Sequence, residues 1–326
     1  MADFIEQLRD IVGDKGLVLH EDLQNRAAGY RHPDKTLEAR VLVRPASTDE
    51  VSKVLKLCND AGQAVVSHGG LTGLVDGNIA GADELILSME RMREIEEIDP
   101  ASSSMTVQAG VTLQTVQEAA EDAGFFFPLD LGGRGSATLG GNISTNAGGN
   151  RVVRYGMARD MVLGLEAVQA DGTVLSPLGK IVKDNAGYNL KHLFIGSEGT
   201  LGVVTRIVLR LRPMPASQQT AFLAVGEFGK LPKLLNFCNS RSGGTTSAFE
   251  VMWRNYFELV TSRPGAAQPL PNDYPYYVLT EMMGGDPAGD PERFETILGE
   301  ALEEGLMVDA VIAKSEAERQ AMWFLR

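Results

Sequence analysis

Three glycine-rich stretches hold the residues best suited to chemistry in this chain: "SHGGLTGLVDG" at 67–77, "PLDLGGRGSATLGGNISTNAGGN" at 128–150 and "GSEGTLGVVT" at 196–205. Glycine costs backbone entropy on folding, so such a concentration needs a physical reason. Each stretch lies beside a strand-like run or turns into one. In such loops successive backbone N–H groups can converge on phosphate oxygens, and the missing Cβ lets a ligand approach the main chain. Thr72 can add a hydroxyl donor to the first loop. Asn142, Thr145 and Asn146, interleaved in the second, can hydrogen-bond the edge of a planar ring or a polyol chain. For one such loop, a tight turn without a ligand is the commoner use of glycine. Three of them, with these polar side chains between, favour a cradle for phosphate and a ring.

The familiar phosphate signatures are absent. No G-x-x-x-x-G-K-[ST] string occurs, and Gly133 and Gly135 begin a G-x-G-x-x-G pattern that Thr138 breaks at its third glycine. The four histidines, His20, His32, His68 and His192, form no paired metal spacing. No G-x-S-x-G elbow exists, and Ser197 in "IGSEG" reads as a turn residue. His68 adjoins the first glycine loop and can face a ligand, even a covalent one; a polar loop residue is the reading that its type favours. Glu198 stands evenly between a ligand contact and a surface carboxylate. Trp253 and Trp323 read as core.

The elements that must position these loops follow from periodicity and caps. Residues 3–12 read as an acidic amphipathic helix ended by Gly13. "EARVLVRPAST" gives a strand at 38–44, stopped by Pro45. A helix follows, capped by Ser47 or Thr48 and closed by Gly62, with Val51, Val54, Leu55 and Leu57 on its apolar face. "QAVVSHGGLTGL" is a short strand running into the first loop, "ELILSMERM" and "SMTVQAGVTL" are further strands, and "TLQTVQEAAEDAG" is a helix. Residues 38–124 therefore form an α/β unit. "MVLGLEAVQADGTVLS" reads as a hairpin turning at Asp171-Gly172, and "LGVVTRIVLRLRP" as a strand. "RPMPAS" at 212–217 carries two prolines and no apolar pattern, and marks a domain boundary. Beyond it strands and helices alternate again in a second α+β domain.

Composition narrows the class. The chain has 326 residues, a net charge of −13 and only two cysteines, Cys58 and Cys238. The charge argues against nucleic acid or an anionic membrane surface as partner. A disulfide framework is excluded, and two buried thiols are expected. The start lacks the basic flank and apolar stretch of a signal peptide, and no run approaches a membrane span. A soluble, reducing, cytoplasmic setting is the expectation.

The blocks "VVSHGGLTGLVDG", "FPLDLGGRGSATLGGNISTNAGGNRVVRYG", "EAVQADGTVL", "KDNAGYNLKHLFIGSEGTLGVVTRIVLRL" and "SAFEVMW" span nearly all of residues 38–253 in one order. In that order they resemble the FAD-binding oxidoreductases of the vanillyl-alcohol oxidase and p-cresol methylhydroxylase type. The chain is most similar to the D-2-hydroxyacid dehydrogenase branch, which includes D-2-hydroxyglutarate dehydrogenase, D-lactate dehydrogenase and the glycolate oxidase large subunit. The resemblance implies an α+β fold: an N-terminal helical segment over 1–37, a two-subdomain FAD-binding domain over 38–214, and an incomplete α+β substrate cap over 215–326. It implies that Gly69, Gly70, Thr72 and Gly73 hold the pyrophosphate, with Ser67, His68, Leu71 and Leu74 also among the cofactor-binding residues. It places Pro128, Leu129, Gly135, Ser136, Thr138, Gly140, Gly141, Asn142, Thr145, Asn146 and Gly149 along the flavin. Tyr155, Gly156, Glu198, Gly202, Val203 and Val204 complete the implied pocket.

Two departures from the family pattern stand out. Ser67 replaces a usual Pro, and His68 a usual neutral polar residue. The branch implies noncovalent FAD, although members of the wider family attach flavin through His. The second departure is length: family members run on for about a hundred residues or more, so a truncated or incompletely represented chain is expected. A family divalent-metal site would lie only in that further part, and no metal ligand is assigned here. The chain ends in a W-x-L-R element, and Arg326 aligns with an arginine that clamps the substrate carboxylate, a role suited to a planar guanidinium. The implied activity is oxidation of a D-2-hydroxy acid, with hydride passing to flavin N5, but no catalytic base can be assigned. A quinone or an electron-transfer flavoprotein is the kind of acceptor implied, and a homodimer is compatible with it. A sugar or alcohol oxidase of the same superfamily, a noncatalytic flavin-carrying electron-transfer subunit and a nucleotide-binding regulator are the alternatives.

Overall fold

The computed structural model describes residues 2–326. The chain divides into two compact units, one of residues 1–148 and 157–213, the other of residues 149–156 and 214–326. Among the described residues no helix is long and apolar enough to cross a membrane.

The first unit contains two main sheets. In one, the strands Val41–Val43 and Val65–His68 flank Leu85–Ser88 in parallel, and Leu17–Val18 adds an antiparallel edge. The runs "VLV" and "LILS" are buried throughout, as expected of parallel strands covered on both faces. The Thr48–Ala61 helix forms where its signals place it: the Ser47 side chain accepts from the Glu50 N–H, and Gly62 closes it in the left-handed conformation. One position differs from the sequence reading. Cys58 joins Val51, Val54 and Leu55 as the fully buried set, because spacing of three and four residues keeps side chains on one helix face, while Leu57 packs half-buried at its edge. The Ala2–Val12 helix packs Leu8 and Val12 into the same core, and Val18, Leu23, Ala28 and Leu37 pack against the first sheet, so the N-terminal segment is built into this unit.

The second sheet is wholly antiparallel, in the order Ile95–Asp99, Ser104–Gln108, Val203–Arg210, Val162–Val168, Val174–Leu175. Its last two strands are joined by Gln169–Thr173, a loop longer than the two-residue turn that Asp171-Gly172 suggests, with Gly172 at φ +84°. The glycine tract is not all loop. Thr138 caps a short helix, Leu139–Ser144, inside it.

The other unit is a four-stranded antiparallel sheet in the order Thr246–Trp253, Tyr276–Gly284, Ser217–Val225, Asp309–Ile312. Side chains alternate between its two faces. Ala221, Leu223, Val225, Val278 and Met282 meet the helices Leu231–Arg241 and Asp290–Glu303 on one side. Phe222, Ala224, Tyr277 and Leu279 meet Arg254–Thr261 and Glu316–Phe324 on the other. The 149–156 segment, helical at Val152–Tyr155, packs against the Thr246–Trp253 strand.

A half-buried ion cluster ties the N-terminal segment to the first sheet. Arg26 donates to both carboxylate oxygens of Glu90, at 2.9 and 2.8 Å, and Arg44 donates at 3.1 Å. Burial opposes ionisation of Glu90, but the hydrogen bonds from Arg26 and Arg44 outweigh it and hold the carboxyl at about 2. A depressed carboxyl stabilises the fold fully above its ordinary value of 4.5 and loses that contribution as pH falls towards about 2. Glu90→Gln is therefore expected to lower stability at neutral pH by about 1–2 kcal/mol, after allowance for solvent screening, and to flatten the acid limb of the stability curve. Urea unfolding followed between neutral and acidic pH measures both effects.

Candidate functional site

The three glycine loops of the sequence meet in the first unit. A Cβ placed on Gly70 would fall 1.9 Å from the Ser136 carbonyl oxygen, and one on Gly69 would fall 2.6 Å from Thr138 Oγ1. The first loop therefore lies backbone against backbone on the second. The third closes the same space: a Cβ on Gly199 would fall 2.5 Å from Ser67 Oγ. The Glu198 N–H donates to the Ser144 carbonyl at 2.9 Å, and the Gly196 N–H to that of Ile143 at 3.1 Å. The third loop is thereby held to the short helix of the second.

One cleft results. Of the residues expected there, Ser67, His68, Gly69, Gly70, Leu71, Thr72 and Gly73 line it from the first loop. Thr138, Gly140, Gly141, Asn142 and Thr145 line it from the second, and Glu198, Val203 and Val204 from the third. Others are placed elsewhere. Leu74 is exposed, Pro128 and Leu129 are buried in the core, and Gly135 and Ser136 are exposed. Asn146 serves the backbone instead, its Oδ1 accepting from the Arg159 N–H at 3.0 Å. Gly202 sits in an adjoining hollow, where a Cβ would fall 2.8 Å from the Val168 carbonyl oxygen. Gly149, Tyr155, Gly156 and Arg326 belong to the other unit. The sequence reading missed Val75, Asp76, Gly77, Asn78, Met89, Ala109, Ser144 and Gly199 as lining residues. Gly77 and Gly199 fall inside the quoted loops and were within reach. Met89 and Ala109 look like ordinary core.

Two buried side chains give the cleft its polarity. Asn142 is 5% exposed, and its Nδ2 has no hydrogen-bond partner. An orphaned buried donor costs about 1–3 kcal/mol, so the amide is built to meet something that the protein itself does not supply. His68 is 3% exposed, and its Nε2 lies 2.7 Å from the Asn78 carbonyl oxygen. Because a carbonyl only accepts, Nε2 carries the hydrogen. Burial lowers the basicity of the ring, and this outweighs both the Asn78 bond and nearby Glu90. The imidazole is therefore held neutral, clasping the two ends of the 69–77 loop. Asn78 in turn donates from Nδ2 to the Ala28 carbonyl at 2.6 Å.

Backbone strain gathers at the same place. Of the non-glycine residues with left-handed φ, Leu71 (φ +55°), Asp76 (+61°) and Glu198 (+53°) all line the cleft. Each costs on the order of 1 kcal/mol and persists only where its surroundings over-determine it, a pattern typical of ligand sites.

Comparison with known proteins assigns the class. Residues 39–176 match the FAD binding domain, and residues 214–326 match the C-terminal domain of FAD linked oxidases. The chain thus carries both of these domains, and FAD is its cofactor. The bare glycine seam and the unpartnered Asn142 amide fit a dinucleotide with a polar ring edge. Among curated relatives, the probable mitochondrial D-2-hydroxyglutarate dehydrogenase of Oryza sativa subsp. indica is 42% identical over 100% of this chain and 58% of its own length. That of Arabidopsis thaliana is 39% identical over 99% of this chain and 58% of its own. The Bos taurus enzyme of the same name is 41% identical over 88% of this chain and 53% of its own. The chain thus spans less than three-fifths of the length of these relatives. Among solved structures, an alkyldihydroxyacetonephosphate synthase superposes with a TM-score of 0.79 at 18% identity, covering 100% of this chain and 65% of that one. p-Cresol methylhydroxylase superposes with a TM-score of 0.74 at 15% identity, covering 99% and 68%. These likenesses establish the α+β fold of p-cresol methylhydroxylase type. The cytoplasmic expectation is corrected: the rice, Arabidopsis and cattle relatives are all named as mitochondrial. Composition and a missing basic flank carry no address of that kind.

The seam makes a sharp test. Gly70→Ala is expected to destabilise the protein by about 3 kcal/mol or more and to strip bound flavin, because the new methyl group meets main chain that cannot turn aside. Gly229→Ala, outside the cleft and with no heavy atom within 4 Å of its would-be Cβ, is expected to stay within about 0.5 kcal/mol and to keep its flavin. Thermal unfolding together with the flavin-to-protein absorbance ratio separates the two.

Proposed function

We propose that this chain supplies the flavin cradle and part of the substrate-binding region of an FAD-linked dehydrogenase that oxidises a D-2-hydroxy acid, 2-hydroxyglutarate-like or lactate-like, to the 2-oxo acid. The observation that carries the reading is the convergence of three glycine loops on one cleft with an unpartnered buried amide. The names of the 39–42% identical relatives supply the substrate class.

In this reading residues 38–214 hold FAD noncovalently and residues 215–326 contribute substrate contacts. Gly69, Gly70, Thr72 and Gly73 present main chain and a hydroxyl to the pyrophosphate, while Gly141, Asn142 and Thr145 meet the ring system. Ser67, His68 and Leu71 shape the first loop, and Thr138, Gly140, Glu198, Val203 and Val204 complete the wall. Ser136 backs the first loop through its carbonyl oxygen against Gly70, and Gly202 shapes the adjoining hollow. The engagement of His68 Nε2 with Asn78 supports noncovalent attachment. FAD, when bound, supplies the two-electron acceptor for the hydrogen that leaves the substrate Cα. Arg326 takes the substrate carboxylate, and its guanidinium now pairs with Glu250 in a hollow lined by Trp253, Asn255 and Tyr256. The electrons pass on to a quinone or an electron-transfer flavoprotein.

Anaerobic mixing of the flavin-loaded protein with D- and L-2-hydroxy acids, sugars and alcohols tests the reading. D-2-hydroxy acids are expected to bleach the flavin and their L-enantiomers to leave it oxidised. Bleaching by sugars or alcohols alone would favour the oxidase alternative, and no bleaching by any of them a noncatalytic electron carrier. Arg326→Met is expected to raise KM for the acid about 10- to 100-fold, the loss of one charged hydrogen-bonding partner.

A further inference from the structure

Glu281 is the most deeply buried carboxylate of the second unit, with none of its side chain exposed. An ionised carboxylate survives such burial only when donors surround it. Oε1 accepts from Ser247 Oγ at 3.0 Å and Arg151 Nε at 3.4 Å. Oε2 accepts from Gln218 Nε2 at 2.5 Å and Trp323 Nε1 at 3.1 Å, with Arg319 Nη1 at 4.0 Å. Five side chains from four parts of the unit thus meet at one group.

Two of them, Arg319 and Trp323, come from the Glu316–Phe324 helix and lie one turn apart on the same helix face. The next turn leads to Arg326, whose N–H donates to the Trp323 carbonyl at 3.0 Å. The sheet register explains how this helix meets the strands. Glu281 stands opposite Ala248, and Leu279 opposite Glu250. Period two therefore puts Glu281, Leu279, Glu250 and Met252 on one face. Leu279 and Met252 cluster there with Met322 and Leu325, at the C-terminal end of the helix. Those apolar contacts are non-directional and permit a helix to slide or turn. The bonds to Glu281 are directional and permit one register. An apolar side chain of similar size would often be no less stable at such a site, so a charge kept here is better explained by register than by stability.

We propose that Glu281 is a positioning residue for Arg326: by gripping Trp323 and Arg319 it fixes the helix end from which Arg326 reaches the substrate carboxylate. The inference rests on Arg326 being that contact. Glu281 touches no reacting atom and acts through the helix alone. Glu250, on the same sheet face, then receives the Arg326 guanidinium where the helix end delivers it.

Steady-state kinetics of the flavin-loaded protein with D-2-hydroxyglutarate and D-lactate, with flavin content and melting temperature measured alongside, test it. Glu281→Gln is expected to raise KM about 10-fold, with kcat within about 3-fold and flavin content unchanged, the pattern of lost ground-state binding. Trp323→Phe, which removes one hydrogen bond and keeps most of the ring, is expected to raise KM about 3-fold; it decides the matter if Glu281→Gln does not fold. In an Arg326→Met background the effect of Glu281→Gln on KM should vanish, because both changes remove one interaction. A lower melting temperature with unchanged KM, or KM effects that multiply in the double variant, overturns the positioning role. If Arg326→Met itself leaves KM unchanged, the substrate contact is overturned and this inference with it. If Arg326→Met raises KM and neither Glu281→Gln nor Trp323→Phe does, only the positioning role is lost.

Discussion

The cleft exists because the first glycine loop puts no side chain of its own between itself and the second. Where Gly69 and Gly70 cross Ser136 and Thr138, the space left for a Cβ is less than any carbon atom can occupy. Everything else at the site follows from that crossing. It brings the loop after one parallel strand onto the cap of a short helix seventy residues later, and the 196–205 loop then seals the side through Ser67 and Gly199. Bulk at this seam would separate the walls, and the residues of each would become ordinary surface turns.

Around that crossing the protein tolerates local costs. Leu71, Asp76 and Glu198 hold backbone conformations that glycine would adopt without strain. Asn142 buries a donor without a partner. Such costs are consistent with a site shaped in advance for a ligand that repays them on binding. His68 contributes from below. A neutral ring that donates to Asn78 holds the loop closed without adding a charge to the floor of the cleft.

The second unit solves a different problem. Its sheet is sandwiched between helices whose apolar faces could pack in several registers, and the polar hub at Glu281 selects among them. The same carboxylate takes Arg151, and Arg154 donates to the nearby Met283 carbonyl, so the 149–156 segment is gathered to this unit although the chain on both sides of it belongs to the other.

Local signals in the sequence determined a good deal. The Thr48–Ala61 helix was legible from Ser47 and Gly62, the buried strands from "VLV" and "LILS", and a ligand cradle from three glycine loops, because caps, apolar periods and missing side chains act over a few residues. The motif blocks, read in order, carried the FAD family. Tertiary structure alone decided which of those residues share the cleft. Leu129 and Asn146 sit in the same tract as Asn142, yet one is core and the other serves Arg159. Only the fold could bring Met89 and Ala109 to the wall, or make Glu281 a meeting point for Arg151, Gln218, Ser247, Arg319 and Trp323. Those contacts join residues tens of positions apart, and a distance through space leaves no trace in local composition.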